Sequence, residues 1–118
     1  DLFPSLHAMA DTAPPRDWEL DGFDMSAALR GEAIERRAPI FWEYAGNPGI
    51  LKPGNMNFIS PTNAIRDGDW KLLTNDDGTD TKLFNLKDDI GEQENIAEHY
   101  PERTAKLKAM LLRWRRSL

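Results

Sequence analysis

The stretch 63–74 decides the fold, and it reads Asn-Ala-Ile-Arg-Asp-Gly-Asp-Trp-Lys-Leu-Leu-Thr. Its Asp67-Gly68 pair favours a two-residue type I′ turn, because both central residues of that turn need a positive φ. Such a turn pairs Ile65 with Trp70 in an antiparallel hairpin. Because side chains alternate along a strand, Ile65, Trp70 and Leu72 then share one face, and we expect that face to meet the core.

Segments on either side of this hairpin complete a small domain. Residues 40–44, Ile-Phe-Trp-Glu-Tyr, alternate as a β-strand does, and residues 81–86 follow a turn at 75–78 as a fourth strand. Pro101 suits the first position of a terminal helix, whose apolar residues recur at spacings of three and four. The apolar stripe of this helix consists of Leu107, Met110, Leu111, Trp114 and Leu118. The basic residues expected mostly off the stripe are Lys106, Lys108, Arg113, Arg115 and Arg116.

A short helix is predicted to precede these strands. Residues 1–10 place Leu2, Leu6 and Met9 at helical spacing, with Asp1 available as a cap. The fold class predicted for the whole chain is therefore α+β: a four-stranded antiparallel sheet with a C-terminal helix packed on one face, preceded by a short N-terminal helix. At 118 residues, we expect 1–118 to form a single domain with one modest core.

Composition excludes several classes of function. The chain carries 15 Lys and Arg against 20 Asp and Glu, for a net charge of −5, which argues against a nucleic-acid partner. It has no cysteine, so disulfides, thiolate metal sites and a cysteine nucleophile are excluded within these residues. No apolar run approaches the roughly 20 residues that a membrane span needs, so no membrane partner is predicted.

Potential catalytic and metal-binding residues are sparse. Acidic pairs occur at 76–77 and 88–89, but Asp and Asn beside Gly are ordinary turn residues, and neither pair fits a known calcium loop. His7 and His99 lie far apart in sequence without an acidic partner at a telling spacing. We therefore predict no catalytic residue and no metal ligand. The irregular stretch 45–62 is long enough to be functional or disordered.

Six short segments, in this order and spacing, resemble the C-terminal part of an arylsulfatase-type sulfatase. They are residues 1–6 (DLFPSL), 18–23 (WELDGF), 41–44 (FWEY), 64–72 (AIRDGDWKL), 83–86 (LFNL) and 89–95 (DIGEQEN). The resemblance covers essentially the whole chain. It implies a two-part parent enzyme, in which a large alkaline-phosphatase-like N-terminal domain is the partner of this smaller one. Residues 1–17 would then be the last helix and linker of the larger domain.

The resemblance also implies where the chemistry of the parent resides. In the family, a formylglycine made within a C/S-x-P-S-R motif attacks sulfur beside a calcium ion held by Asp and Asn. This motif and its metal ligands do not occur in these 118 residues. Sulfate-ester cleavage needs a positioned nucleophile and cationic groups that offset the developing charge, so we expect the chain alone to be inactive. The resemblance implies a parent that is periplasmic, secreted or lysosomal, and the sequence carries no signal that distinguishes these compartments.

What the chain would supply to such a parent is one wall of the substrate cleft. Glu43, Tyr44 and Asn47 follow the first strand, where the domain is expected to turn toward the catalytic face. Aromatic stacking and amide hydrogen bonds would read a sulfated sugar or an aryl sulfate. Further contacts are expected from the loop residues Lys52, Asn55 and Asn57. The alternative that the loop only seals the domain interface has equal weight.

Two hypotheses from other classes remain open. The chain could be a free-standing interaction module without enzymatic activity, which binds a protein through its sheet or its Arg-rich helix. It could also be a calcium-binding β module that uses the Asp pairs. The sulfatase hypothesis predicts an uncovered apolar patch of several hundred Å² around the first helix or the loop, and with it a tendency to self-associate through the exposed interdomain surface.

Overall fold

The structure is a computed structural model that describes residues 1–44 and 59–118. The chain divides into two compact units, Asp1–Arg37 and Ala38–Leu118. The first unit holds helices α1 (Leu2–Met9) and α2 (Ser26–Leu29). The second holds strands β1 (Ile40–Glu43), β2 (Asn63–Asp67), β3 (Trp70–Thr74) and β4 (Lys82–Asn85), followed by helix α3 (Pro101–Arg115). No helix in the described ranges is long and apolar enough to cross a membrane.

The four strands form one antiparallel sheet in the order β1-β2-β3-β4, which confirms the predicted α+β fold. The predicted hairpin register is wrong, because the turn lies one residue later in the chain. Ile65 lies opposite Leu72 instead of Trp70, and Asp67 lies opposite Trp70. The two turn residues are thus Gly68 and Asp69. Gly68 has φ +59°, as the first central residue of a type II′ turn requires. Because the pairing shifts by two residues in total, and side chains alternate with a period of two, the same side chains still share a face.

The core lies between the sheet and α3. Ile65, Leu72 and Leu83 from three neighbouring strands pack with Leu107 and Leu111 of the helix, and all five are at most 2% exposed. Burying an aliphatic side chain of this size stabilises the fold by about 1.5–3 kcal/mol. These five residues therefore supply much of the hydrophobic stabilisation of the second unit.

One aromatic pair extends this core toward the C-terminal end of α3. The rings of Phe41 on β1 and Trp114 on α3 stack with their centroids 5.2 Å apart. The helix ends at Arg115, and the predicted stripe residue Leu118 is 75% exposed instead of packed. The stripe therefore stops at Trp114, one turn earlier than predicted, because the helical geometry that would carry it on has ended.

The segment that follows β4 is tied to the outer edge of that strand. The backbone N–H of Leu83 donates to Asn95 Oδ1 at 3.0 Å, and the Leu83 carbonyl accepts from the N–H of Ile96 at 2.9 Å. Asp89 holds the turn in between, because its Oδ2 accepts from the N–H groups of Gln93 and Glu94. These bonds give a physical role to residues of the 89–95 segment: they order the approach to α3 and cover one edge of the sheet.

The unit Asp1–Arg37 is held mainly by polar contacts. Asp1 occupies the N-cap position of α1 as predicted, but its carboxylate makes no capping hydrogen bond; it accepts from the N–H of Phe23 and pairs with Arg36. Ser5 is 1% exposed, donates to the Asp1 carbonyl and accepts from the N–H of Met25. The Asp1 carboxylate therefore joins the start of α1 to Phe23 and Arg36.

Candidate functional site

Glu43 and Tyr44, two of the three predicted substrate-binding residues, lie where β1 ends. Glu43 pairs with Asn63 across the β1–β2 ladder, and the N–H of Tyr44 donates to the Thr62 carbonyl at 2.6 Å. Side chains alternate along a strand, so the two residues face opposite sides of the sheet. Glu43 is on the side covered by α3, whereas Tyr44 is 54% exposed.

An arginine of α3 holds the Glu43 carboxylate. Arg115 Nη2 lies 2.8 Å from Glu43 Oε1, and Arg115 Nε lies 3.4 Å from Asp76 Oδ1, in the turn after β3. The Glu43 side chain is 19% exposed and that of Arg115 is 32% exposed. Limited exposure weakens solvent screening, so this contact is worth more than a surface pair. Arg115 thereby joins α3 to the end of β1 and to the turn after β3.

A row of buried polar side chains lies at the same end of the sheet. Asn63 and Thr74 are opposite each other on β2 and β3, and both are at most 1% exposed. Asn63 Nδ2 donates to Asp76 Oδ1 at 2.7 Å, while Asn63 Oδ1 is buried without a hydrogen-bond partner. Thr74 Oγ1 contacts the Thr79 carbonyl at 3.1 Å. This end of the layer is therefore a polar junction in an otherwise apolar interior.

The acidic pairs considered as calcium ligands accept hydrogen bonds from the protein itself. Asp77 Oδ1 accepts from the Thr79 hydroxyl at 2.6 Å and from its N–H at 2.9 Å, and these bonds lower the pKa of Asp77. The pKa of Asp89 is likewise lowered, first by the N–H of Glu94 and then by that of Gln93. Both carboxylates therefore have the turn-forming role that their sequence context favours.

The face of the sheet away from α3 carries an aromatic residue beside a cation. The Lys71 ammonium lies 5.7 Å from the centre of the Trp42 ring and 2.5 Å from Glu92 Oε1. Trp42 is 39% exposed, on the same face as Ile40 and, by alternation, Tyr44. An exposed Trp and Tyr on one strand present ring faces of the kind that sugars and aryl groups stack on.

A surface depression of about 510 Å³ lies at the other end of α3. Tyr100, Arg103 and Lys106 line it, and the Arg103 guanidinium lies 4.2 Å from the centre of the Trp70 ring. A second depression of similar volume shares Tyr100 but is lined by acidic residues such as Asp88. His99 and the acidic pair at 88–89, weighed above for catalysis and metal binding, line the second depression, whereas no sequence signal pointed to Tyr100 or Arg103.

Four of the residues predicted to contact the substrate belong to the segment 45–58. Asn47, together with Lys52, Asn55 and Asn57, lies outside the described residues.

Arg115 was expected off the apolar stripe, yet it faces the sheet. Its spacing of four from Leu111, itself four after Leu107, was the available signal, because residues four apart share one face of a helix.

The described residues offer no site for the calcium ion implied by the resemblance. Across residues 1–44 and 59–118, no group of three or more His, Cys, Asp or Glu side chains is arranged to bind a metal. The described residues therefore do not fit such an ion, and we assign no step of metal chemistry to them.

Comparison with known proteins gives the chain a relative of stated activity. No protein-family model matches it. It is 25% identical over 111 residues to an N-acetylgalactosamine-6-O-sulfatase of Bacteroides thetaiotaomicron. The match covers 94% of this chain but only 22% of that enzyme.

A solved structure also matches, from work on the metabolism of multiple glycosaminoglycans by the same organism. The TM-score is 0.65 at 23% identity, over 93% of this chain and 23% of the other, so the match supports the fold. The chain thus spans between a fifth and a quarter of the length of the proteins it matches. Together the comparisons confirm the resemblance read from the sequence: the chain is similar to part of a sulfatase, consistent with a sulfatase C-terminal domain.

Proposed function

We propose that this chain is the C-terminal domain of a longer sulfatase that hydrolyses sulfate esters, with sulfated amino sugars as the substrate class. One observation carries the proposal: nearly the whole chain aligns with an N-acetylgalactosamine-6-O-sulfatase, yet it accounts for 22% of that enzyme. The remaining length of such a parent would hold the formylglycine, the calcium ion and the catalytic groups. The domain by itself would hydrolyse nothing.

The exposed side chains of α1 support a packing role. Leu2, Phe3, Leu6 and Met9 are each 43–63% exposed, although their spacing is that of a buried helix face. A single exposed apolar residue needs no explanation, but four exposed apolar side chains on one short helix indicate a missing partner surface. We assign that surface to the catalytic domain of the parent, with residues 1–17 as its last helix and linker.

The end of β1 would form part of the substrate cleft. Tyr44 offers an exposed ring that can stack on a sugar and a hydroxyl that can bond to it. Glu43 contributes differently: its ion pair with Arg115 fixes the backbone from which Tyr44 emerges. Asn47 is proposed to add an amide hydrogen bond to the same ligand. Tyr44 and Asn47 would bind and orient the organic part of the ester, away from the sulfur, with Glu43 as a positioning residue.

Sulfate release from N-acetylgalactosamine 6-sulfate tests this proposal. We expect no release by the 118-residue chain and turnover by the parent. In the parent, Tyr44→Ala should raise KM about ten-fold with little change in kcat, as the loss of one stacking contact worth about 1.4 kcal/mol predicts.

The matched control is Tyr100→Ala, because that tyrosine is similarly exposed at 46% but lies beside the start of α3. It should leave KM unchanged. Turnover by the isolated chain would refute the domain assignment. Equal KM values for the two variants would refute the substrate-cleft role and leave this end of the domain as a seal for the interface.

A further inference from the structure

The two edges of the sheet differ in what covers them. At the β4 edge, the outward N–H and carbonyl of Leu83 are both bonded, to Asn95 and Ile96. Among the described strands, the other edge is β1. An edge strand with free N–H and C=O groups is a template on which another strand can pair.

The β1–β2 ladder shows which groups of β1 face outward. The N–H of Tyr44 donates to the carbonyl of Thr62, which the register places opposite it when extended by one residue, so the N–H of Tyr44 points toward β2. Hydrogen-bonded and non-hydrogen-bonded pairs alternate along an antiparallel ladder. The N–H and C=O groups of Phe41 and Glu43 therefore point away from β2. Within residues 1–44 and 59–118, no backbone hydrogen bond beyond the ladder engages either residue.

From this arrangement we propose that β1 pairs antiparallel with β1 of a second copy of the chain, which joins the two four-stranded sheets edge to edge. A two-fold axis at Trp42 places Phe41 of each copy opposite Glu43 of the other. Each of these two pairs exchanges two N–H···O bonds, so all the outward groups of both residues are used. The inference goes beyond the proposed function and does not rest on it.

The sequence of the strand selects this register. Centring the axis on Phe41 would place Glu43 opposite Pro39, which has no N–H to donate. Centring it on Trp42 instead places the two Trp42 residues opposite each other and Ile40 opposite Tyr44. In one copy these three side chains are 38–54% exposed and on one face, so pairing would form a continuous apolar row.

Charge does not oppose the contact. The only charged residue of 40–44 is Glu43, and its carboxylate already pairs with Arg115 on the helix-covered side. A two-fold contact uses the same patch on both partners, so it closes at a dimer and does not propagate into fibres. Because only two residues per copy supply the backbone bonds, we expect a concentration-dependent equilibrium, not a permanent dimer.

Sedimentation equilibrium of the 118-residue chain over a hundred-fold concentration range tests the inference. The expected mass rises from one 13.4 kDa chain toward two. In a mixture of isotope-labelled and unlabelled chain, an intermolecular NOE between the Hα atoms of the two Trp42 residues should appear, because non-hydrogen-bonded pairs bring their Cα atoms closest.

Trp42→Lys places two cations opposite each other and should abolish the dimer. Ile90→Lys is the control: it makes the same change in the same unit at an 80% exposed apolar residue, and it should leave the dimer intact. If Trp42→Lys fails to fold by circular dichroism, Ile40→Lys takes its place. A mass of one chain throughout, a dimer that survives the lysine, or a dimer without the Trp42 NOE would each overturn the proposal.

Discussion

The two units of the chain treat their apolar side chains in opposite ways. In Ala38–Leu118, three strands and α3 bury five aliphatic residues almost completely. In Asp1–Arg37, the buried residues are the serines Ser5 and Ser26, while the large apolar residues of α1 stay exposed. One unit therefore has a core of its own. The other has an apolar helix face that its own fold leaves exposed.

This difference is the burial pattern that we expect of a domain taken from a longer protein. An exposed apolar helix face costs little free energy to retain if a larger protein normally covers it, but it adds no stability on its own. The polar bonds of Asp1 and Ser5 fix the local shape of the first unit. The comparison thus agrees with the proposal that residues 1–17 belong to the edge of a catalytic domain.

Shortening one leucine in each unit should give the largest difference in stability between the two units. Leu111→Ala should lower the free energy of unfolding by about 3 kcal/mol, because it leaves a cavity where the side chain is fully buried. Leu6→Ala, at a residue 52% exposed, should change it by less than about 0.5 kcal/mol. Urea unfolding followed by tryptophan fluorescence measures both. Equal losses would mean that α1 is packed as firmly as α3.

Loss of Arg115 tests how much its ion pairs contribute to the stability of the second unit. Arg115→Met should destabilise it by about 1–2 kcal/mol, because Glu43 remains partly buried without its partner. Arg113→Met is the matched control, since Arg113 is exposed on the same helix. A double-mutant cycle with Glu43→Gln isolates the ion pair. A coupling energy of zero in that cycle would show that the two charges act independently.

The covered edge of the sheet permits a smaller perturbation. Asn95→Ala removes the acceptor for the N–H groups of Leu83 and Ala97, and we expect a loss of about 1 kcal/mol. Asn95→Asp keeps an oxygen at that position and should recover most of the loss. Hydrogen exchange at the Leu83 amide gives a local readout, and it should quicken only in the alanine variant. Unchanged exchange in that variant would contradict the role given to Asn95.

The smallest expected effect is a pH dependence. The pKa values of Asp77 and Asp89 are lowered by hydrogen bonds to backbone N–H and hydroxyl groups, so both carboxylates favour the folded state when ionised. Their contribution is present above the ordinary Asp value of about 4 and is lost as pH falls through the lowered folded-state values. Thermal unfolding of Asp89→Asn and of the unaltered chain should therefore differ at neutral pH and converge in acid. A difference that grows in acid would reverse this sign.

The sequence predicted the strands, their order and the helix-covered face. The face was correct although the register was not, because a pairing shift of two residues leaves the alternation of side chains along β2 and β3 unchanged. The register itself was missed, since a glycine with positive φ fits either central position of a two-residue turn. Arg115 was missed for another reason. Its partners Glu43 and Asp76 are distant in sequence, and only the packing of α3 on the sheet brings the three together.

The most direct test of the central claim is to characterise the native polypeptide that contains these residues. An antibody against this chain should detect a protein several times larger than 13.4 kDa, and mass spectrometry of that protein should find a formylglycine in a C/S-x-P-S-R motif upstream of Asp1. A native species no larger than this chain, or a larger one without the modified residue, would contradict the account.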